Sequence, residues 1–313
     1  MALPGVGERM NDRIDVHHHV VPPQFQSTTP MPVNVPSTEE QLGRLEEFGV
    51  AAAVTSITPR ILDANPGHIR SVVRACNEFQ ATLIRDHPSR FGSFAALPLP
   101  DVDGALEEVA YALDVLKLDG IGLFSNQGGR YLGDPVFDDV FAELNRRQAV
   151  IFVHPAHCEA PEHTNLHAPD AIVEYVFDTT RAVVNLLYNG TLQRFPSVKM
   201  IFSHGAGAAP YLLTRITGMD NNPKAQVNDC VETMRSLYYD TTSATMHGAL
   251  RCIQELAGVS HVVWGTDMPF LHGDRLRSEI HHWDDYDGFD APAKRAIEHD
   301  NTLRLLPSLA ARL

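Results

Sequence analysis

Asp15-Val16-His17-His18-His19 ends a short extended run that begins at Arg13-Ile14 and is followed by Val20-Val21-Pro22-Pro23. On a strand, residues two apart point to the same side. His17 and His19 therefore share one face, and His18 takes the other. Two imidazoles so placed at a strand end can hold one divalent metal. The plain alternative is a histidine-rich surface tail or a tag remnant, but three histidines inside a strand pattern make a poor tag. The stretch also bears on the fold. An open doubly wound sheet normally carries a Gly-rich turn after its first strand, and here that strand ends in histidines instead.

Outward from this stretch, strands and helices alternate. The first strand is predicted over 13–16, after a loose leader over 1–12. Residues 20–37 hold Pro22, Pro23, Pro30, Pro32 and Pro36 and read as an irregular excursion. Ser37-Thr38-Glu39-Glu40 opens a helix to about 48, with a cap and first-turn acids. Strands follow at 50–56, 90–96, 120–124, 149–153, 198–202, 237–240 and 262–266. The intervening helices are 68–86, 103–116, 135–147, 169–192, 209–217, 227–236 and 246–257. Residues 272–290, with Asp284, Asp285, Asp287 and Asp290, read as a solvated acidic loop. Helix returns from about 291 to Pro307. About eight such alternations predict an α/β fold, a (β/α)8 barrel, over residues 1–313 as a single domain.

Composition narrows the function. The chain has 313 residues, of which 44% are hydrophobic, enough for a large core. Lys+Arg number 25 and Asp+Glu 39, so the net charge is −14, and neither nucleic acid nor an anionic membrane is an expected partner. Cys76, Cys158, Cys230 and Cys252 form no C-x-x-C pair, which fits a reducing cytoplasm. No signal peptide and no membrane span are expected.

In such barrels chemistry sits at the C-terminal ends of the strands. Strand 1 ends in His17 and His19, strand 5 in His154, strand 6 in His204, strand 7 in Asp240 and strand 8 in Asp267. Singly, each is more simply a loop histidine or a helix cap. Together they point to one mouth. His17, His19, His154 and Asp267 offer three nitrogens and one oxygen, a set that suits Zn2+, with Mn2+ or Fe2+ as further candidates. His204 is the candidate for proton transfer, and Asp240 reads as a structural or orienting group. Phe124, Trp264 and Phe270 could pack on a planar ring, although core packing would serve each equally. The segments 20–37 and 155–168 would overhang the mouth. His157, His163 and His167 in the second of these read as solvated or substrate-facing.

His17-x-His19, Val-His154-Pro, Phe-Ser-His204-Gly-Ala-Gly and Trp-Gly-Thr-Asp267-Met-Pro-Phe resemble, in order and spacing, the amidohydrolase superfamily. More narrowly they are similar to its decarboxylase branch, which includes aminocarboxymuconate-semialdehyde, γ-resorcylate and 5-carboxyvanillate decarboxylases. The stretch 121–135 looks most like 6-methylsalicylate decarboxylases. The resemblance runs from about 14 to 306. It implies one divalent metal per chain, Zn2+ or Mn2+, on His17, His19, His154 and Asp267, and no organic cofactor. It implies His204 as the catalytic histidine, with Asp267 both a ligand and the deliverer of a proton. It implies Arg215 as a contact for a substrate carboxylate. Binuclear members use a lysine at the end of strand 4. Here that strand ends Gly122-Leu123-Phe124-Ser125-Asn126, so a mononuclear site is expected. The implied reaction is non-oxidative loss of CO2 from a small aromatic or enoic carboxylic acid. Metal-dependent hydrolysis of a lactone, ester or amide is the alternative on the same ligands. The resemblance also implies a homodimer or homotetramer.

Overall fold

Eight apolar runs lie side by side in the order in which they occur in the chain, each parallel to the next: β1 Arg13–His19, β2 Val50–Ser56, β3 Phe91–Ala96, β4 Gly120–Phe124, β5 Val150–His154, β6 Lys199–Phe202, β7 Tyr238–Asp240 and β8 Val262–Val263. The computed structural model describes residues 12–157, 167–218 and 230–313. The sheet curls until its ends meet. Val16 N–H donates to Trp264 O at 3.0 Å, Asp267 N–H to His17 O at 2.8 Å and His19 N–H to Met268 O at 2.7 Å. These bonds close the (β/α)8 barrel and satisfy the edges of its first and last strands.

The β1–β2 register shifts twice: β2 carries an extra residue between Val50 and Ala52, and β1 one between Asp15 and His18. Asp15 faces Ala53 and His18 faces Thr55, so β1 takes three steps where β2 takes two. Such a bulge turns two successive side chains to the same face. Ile14 and Val16 enter the lumen, where they meet Ala52, Val54, Phe94, Phe152, Ile201 and Val263. His17 and His19 follow them inward. Below, Leu305, Leu306 and Leu309 of the C-terminal segment plug the barrel. Ser308 and Arg312 anchor that segment on Asp119, just before β4.

The alternate residues of the strands, among them Ala53, Ile121, Ile151, Phe202 and Tyr239, face the helices in one outer core. The helix Thr38–Glu47 begins with a complete capping box between Ser37 and Glu40. The expected acidic loop over 272–290 is instead largely the helix Gly273–Asp285. Leu276, Ile280 and Trp283 recur at helical spacing and pack inward, while the acids occupy the other face. Asp284 pairs with Arg13, and Asp290 caps the next helix, Ala291–Arg295. The helix expected over 169–192 is shorter, Glu174–Tyr188, with a separate turn at Thr191–Arg194 after the left-handed Gly190. Of the helix expected over 227–236, Cys230–Ser236 is observed; its first residues, like Cys158, His163 and nearly all of the leader, lie outside the described residues. Among the described residues no helix is long and apolar enough to cross a membrane.

Candidate metal centre at the barrel mouth

Four of the expected side chains converge. One ligand atom from each of His17, His19, His154 and Asp267 lies within 4.8 Å of every other. The first three side chains are buried almost completely, and Asp267 is 17% exposed at the open side. Close packing sets this up. A Cβ on Gly265 would lie 2.9 Å from His17 Cβ, so only glycine lets β8 pass so near the first ligand. His204 and Asp267 both adopt positive φ, 53° and 63°, at the ends of β6 and β8. Such strained backbone is found at functional sites, where the surroundings enforce it.

Each imidazole is aimed by a bond on its far side. Asp240 Oδ2 accepts from His17 Nδ1 at 2.7 Å, and Pro155 O accepts from His154 Nδ1 at 2.8 Å. The Ser56 hydroxyl meets His19 Nδ1 at 3.2 Å. With Nδ1 carrying the proton, Nε2 presents a lone pair to the centre. His17 Nε2 and His19 Nε2 then stand 3.1 Å apart with like charge density facing. Asp267 Oδ1 lies 3.1 Å from His19 Nε2 and 3.4 Å from His17 Nε2, yet it is buried without a hydrogen-bond partner among the described residues. Converging lone pairs and an orphaned carboxylate oxygen are what a cation would satisfy. The donor set therefore fits a divalent metal.

The electrostatics agree. Burial, then the neighbouring His19, His17 and His204, hold the His154 imidazole well below its usual value, so it stays neutral. Burial also lowers His19. Burial pulls His17 down as well, but the Asp240 charge and hydrogen bond outweigh it and leave His17 raised. Burial pushes the Asp267 carboxyl up, but the His17 charge and the His19 and His204 rings beside it keep it well below the carboxylate range.

The remaining expected residues divide. His204 stands by the cluster, its Nε2 3.9 Å from Asp267 Oδ2 and its ring centroid 5.0 Å from that of His17. Phe270 packs edge-on to His19 at 5.3 Å, and Phe124 lies 6.4 Å from His154. Trp264 does not line the mouth. It follows the inward Val263 on β8, so it points outward into the helix layer, 2% exposed, with the Arg13 guanidinium 5.3 Å from its ring. Arg215 is exposed on the helix Leu213–Thr217, and among the described residues no side-chain hydrogen bond or ion pair holds it. His18 turns away to Asp15 and Gln41. Val21, Phe25, Met31 and Val35 from the proline-rich segment pack with Ile57, Ile61 and Phe124 at the mouth.

Several residues of the site were not foreseen. Asp15 accepts from His17 N, Thr266 N and Thr266 Oγ1, at 3.0, 2.9 and 2.6 Å, stapling the two ligand-bearing strands across the seam. Buried Asp178 accepts from Ser125, Asn126 and Tyr131 and so ties the end of β4 to the helix after β5. Tyr175 lies 6.3 Å from the His154 ring and close to the charge of Arg60, which follows β2 in the helix Pro59–Asp63. Asp15 lies within β1 and Asp178 and Tyr175 within the helix Glu174–Tyr188, so no strand-end position marked them in the sequence.

Comparison with known proteins follows this geometry. The family model described as amidohydrolase matches residues 14–308. A decarboxylase of Aspergillus niger is 32% identical, with 95% of this chain and 88% of that one covered. The 6-methylsalicylic acid decarboxylase of Penicillium expansum is 30% identical, with 95% and 97% covered. A crystal structure of a dihydroxybenzoic acid decarboxylase from Polaromonas, with bound manganese and the inhibitor 2-nitroresorcinol, has a TM-score of 0.79 at 17% identity, covering 95% and 97%.

Proposed function

This chain belongs to the amidohydrolase family, and from that premise we propose that it is a metal-dependent, non-oxidative decarboxylase of a small aromatic carboxylic acid of the salicylate type. The observation that carries the reading is the three inward Nε2 atoms converging on the orphaned Asp267 Oδ1 beneath an aromatic wall. We assign His17, His19, His154 and Asp267 as the ligands of one divalent ion, with Zn2+ the first candidate and Mn2+ the second. When bound, that ion supplies Lewis-acid stabilisation to the phenolate and carboxylate oxygens of the acid.

The chain's residues do the rest. Direct loss of CO2 would leave an sp2 carbanion, so the ring carbon must gain a proton first. Asp267 Oδ2, facing His204 at 3.9 Å, is placed to pass that proton, and His204, 11% exposed, to restore it from the solvent side. The proton forms a C–H bond at the ring carbon and stays there; the C–C bond to the carboxylate then breaks, its electron pair returns to the ring to restore the arene, and one CO2 leaves, with no oxidant needed. Phe124 and Phe270 hold the ring plane, which fixes the carbon toward the acid. Arg215, on the family resemblance, and Arg60, from its place beside Tyr175, are the cations assigned to meet a carboxylate.

We further propose one barrel domain with segment 20–37 over the mouth, working in the cytoplasm as a homodimer or homotetramer; most of the segment 155–168 expected there lies outside the described residues. Scattered cysteines, among them buried Cys76, which is in no disulfide, support the compartment. The test is CO2 release from salicylate-type acids beside hydrolysis of lactones, on protein of measured metal content. Turnover of lactones alone would overturn the decarboxylase assignment, and two metals per chain would overturn the mononuclear one.

A further inference from the structure

Beside His154 the barrel lumen keeps a small recess, lined by Ile57, Ala96, Gly122, Phe124 and the Phe94 and Phe152 rings, with Ser56 and His154 at its edge. Its floor is firm. Phe94 and Phe152 stack at 5.2 Å and 10°, and Phe152 in turn meets the His17 ring edge-on at 5.1 Å. The recess therefore lies directly against one assigned metal ligand, His154, and is separated from a second, His17, by the Phe152 ring. It opens to the mouth: Gly122 is partly exposed, although the other four residues of β4 are buried.

Two properties decide what it takes. The first is size. About 10 Å³ is free to the centre of a water-sized group, space for roughly one water or one methyl. The second is polarity. Ser56 Oγ is engaged with His19 Nδ1, and His154 Nδ1 with Pro155 O. The other lining side chains carry no polar atom. A water there would lack the two to four partners that ordered water needs, whereas an alkyl group would lose nothing by entering.

We propose that this recess is a specificity subsite for a single small alkyl substituent, of methyl size, on the ring of the aromatic acid, and that Gly122 sets its depth. The inference rests on the decarboxylase reading for its substrate class, but its geometry stands apart from the chemistry.

Gly122 provides a clean probe. A Cβ built there meets nothing nearer than Phe94 Cβ at 3.6 Å and Ala95 O at 3.7 Å, ordinary contacts, and its φ is not left-handed. Gly122→Ala therefore adds one methyl to the recess without forcing the strand. The experiment compares kcat/KM for salicylate and its four ring-methylated isomers in the metal-loaded wild type, Gly122→Ala and Ala96→Gly. Wild type should favour one methyl isomer over salicylate by about 10- to 200-fold, the range for one methylene in an apolar pocket. Gly122→Ala should erase that ratio, and Ala96→Gly should shift preference toward the ethyl analogue. A wild type indifferent to methylation, or a preference that survives Gly122→Ala, overturns the proposal. Should Gly122→Ala not fold, judged by its thermal melt and metal content, the Ala96→Gly result decides. If the wild type releases CO2 from none of the acids, the decarboxylase reading falls, and calorimetric binding of the same acids to the metal-loaded proteins judges the recess. A methyl preference in affinity, lost in Gly122→Ala, upholds it, and its absence in the wild type overturns it.

Discussion

At the scale of single residues, the site is made by what stands behind each imidazole. Asp240 is 0% exposed and takes the Nδ1 proton of His17. Asp240→Asn keeps the shape but presents an amide that can no longer accept with full charge. We expect metal affinity to fall about 10- to 100-fold with the fold intact, as such orienting groups do elsewhere, read by competition with a chromogenic chelator. His204→Gln should instead retain the metal and lose about 10²- to 10⁴-fold in kcat, the usual worth of a positioned proton-transfer group. Loss of metal together with activity would move His204 into the ligand set. The inward histidines and Asp267 were legible because each interrupts an apolar run at its C-terminal end. Trp264 was misplaced because aromatic character does not reveal on which side of a strand a ring stands. That depends on alternation through Val263, which only the pairing reveals. Asp15 and Asp178 were illegible because a buried carboxylate fully used by local donors looks, in sequence, like any other acid.

At the scale of elements, the helix Gly273–Asp285 shows how charge can hide periodicity. Its acids suggested a solvated loop, yet Leu276, Ile280 and Trp283 supply a buried stripe. Trp283 is fully buried and donates from Nε1 to Glu298 at 2.8 Å. Trp283→Ala should cost about 3–5 kcal/mol by denaturant melt, the range for removing a large buried aromatic. A cost below about 1 kcal/mol, the level of a surface change, would show the helix to be loosely docked. The helix Asp138–Arg146 carries a pH signature. Hydrogen bonds from Arg146, and with them Arg147, draw the Glu143 carboxyl down to about 2. Its folded value is lower than its usual 4.5, so its contribution is complete above that pH and disappears as pH falls toward 2. Urea melts of wild type and Glu143→Gln should differ at pH 6, by at most about 1 kcal/mol for so solvated a group, and converge near pH 2.

At the scale of the whole molecule, the alternation of eight strands with helices was readable, because a parallel sheet must bury apolar runs between layers. The bulge in β1 and the bonds across the seam were not, because no local pattern states which distant backbone will meet a strand. The structure places three lumen leucines, Leu305, Leu306 and Leu309, against the end of the barrel away from the histidine cluster. Leu309→Ala should therefore cost about 2–5 kcal/mol while leaving metal affinity within error, measured by melts and chelator competition on the same protein. The metal should act at the opposite end. At a free metal concentration 1,000 times its dissociation constant it should add about 4 kcal/mol of stability, seen as a fall in Tm on chelation.

The seam joins His17 to Asp267, and 267 − 17 = 250 residues of chain separate them. A ribosome adding about 5–20 residues each second needs roughly 12 to 50 s to cover that interval. Throughout it the nascent chain lacks the fourth donor, and β1 has β2 on one side but no partner on the other. Metal capture in the assembled geometry must therefore wait for β8 to emerge, so the timing of loading is written into the order of translation.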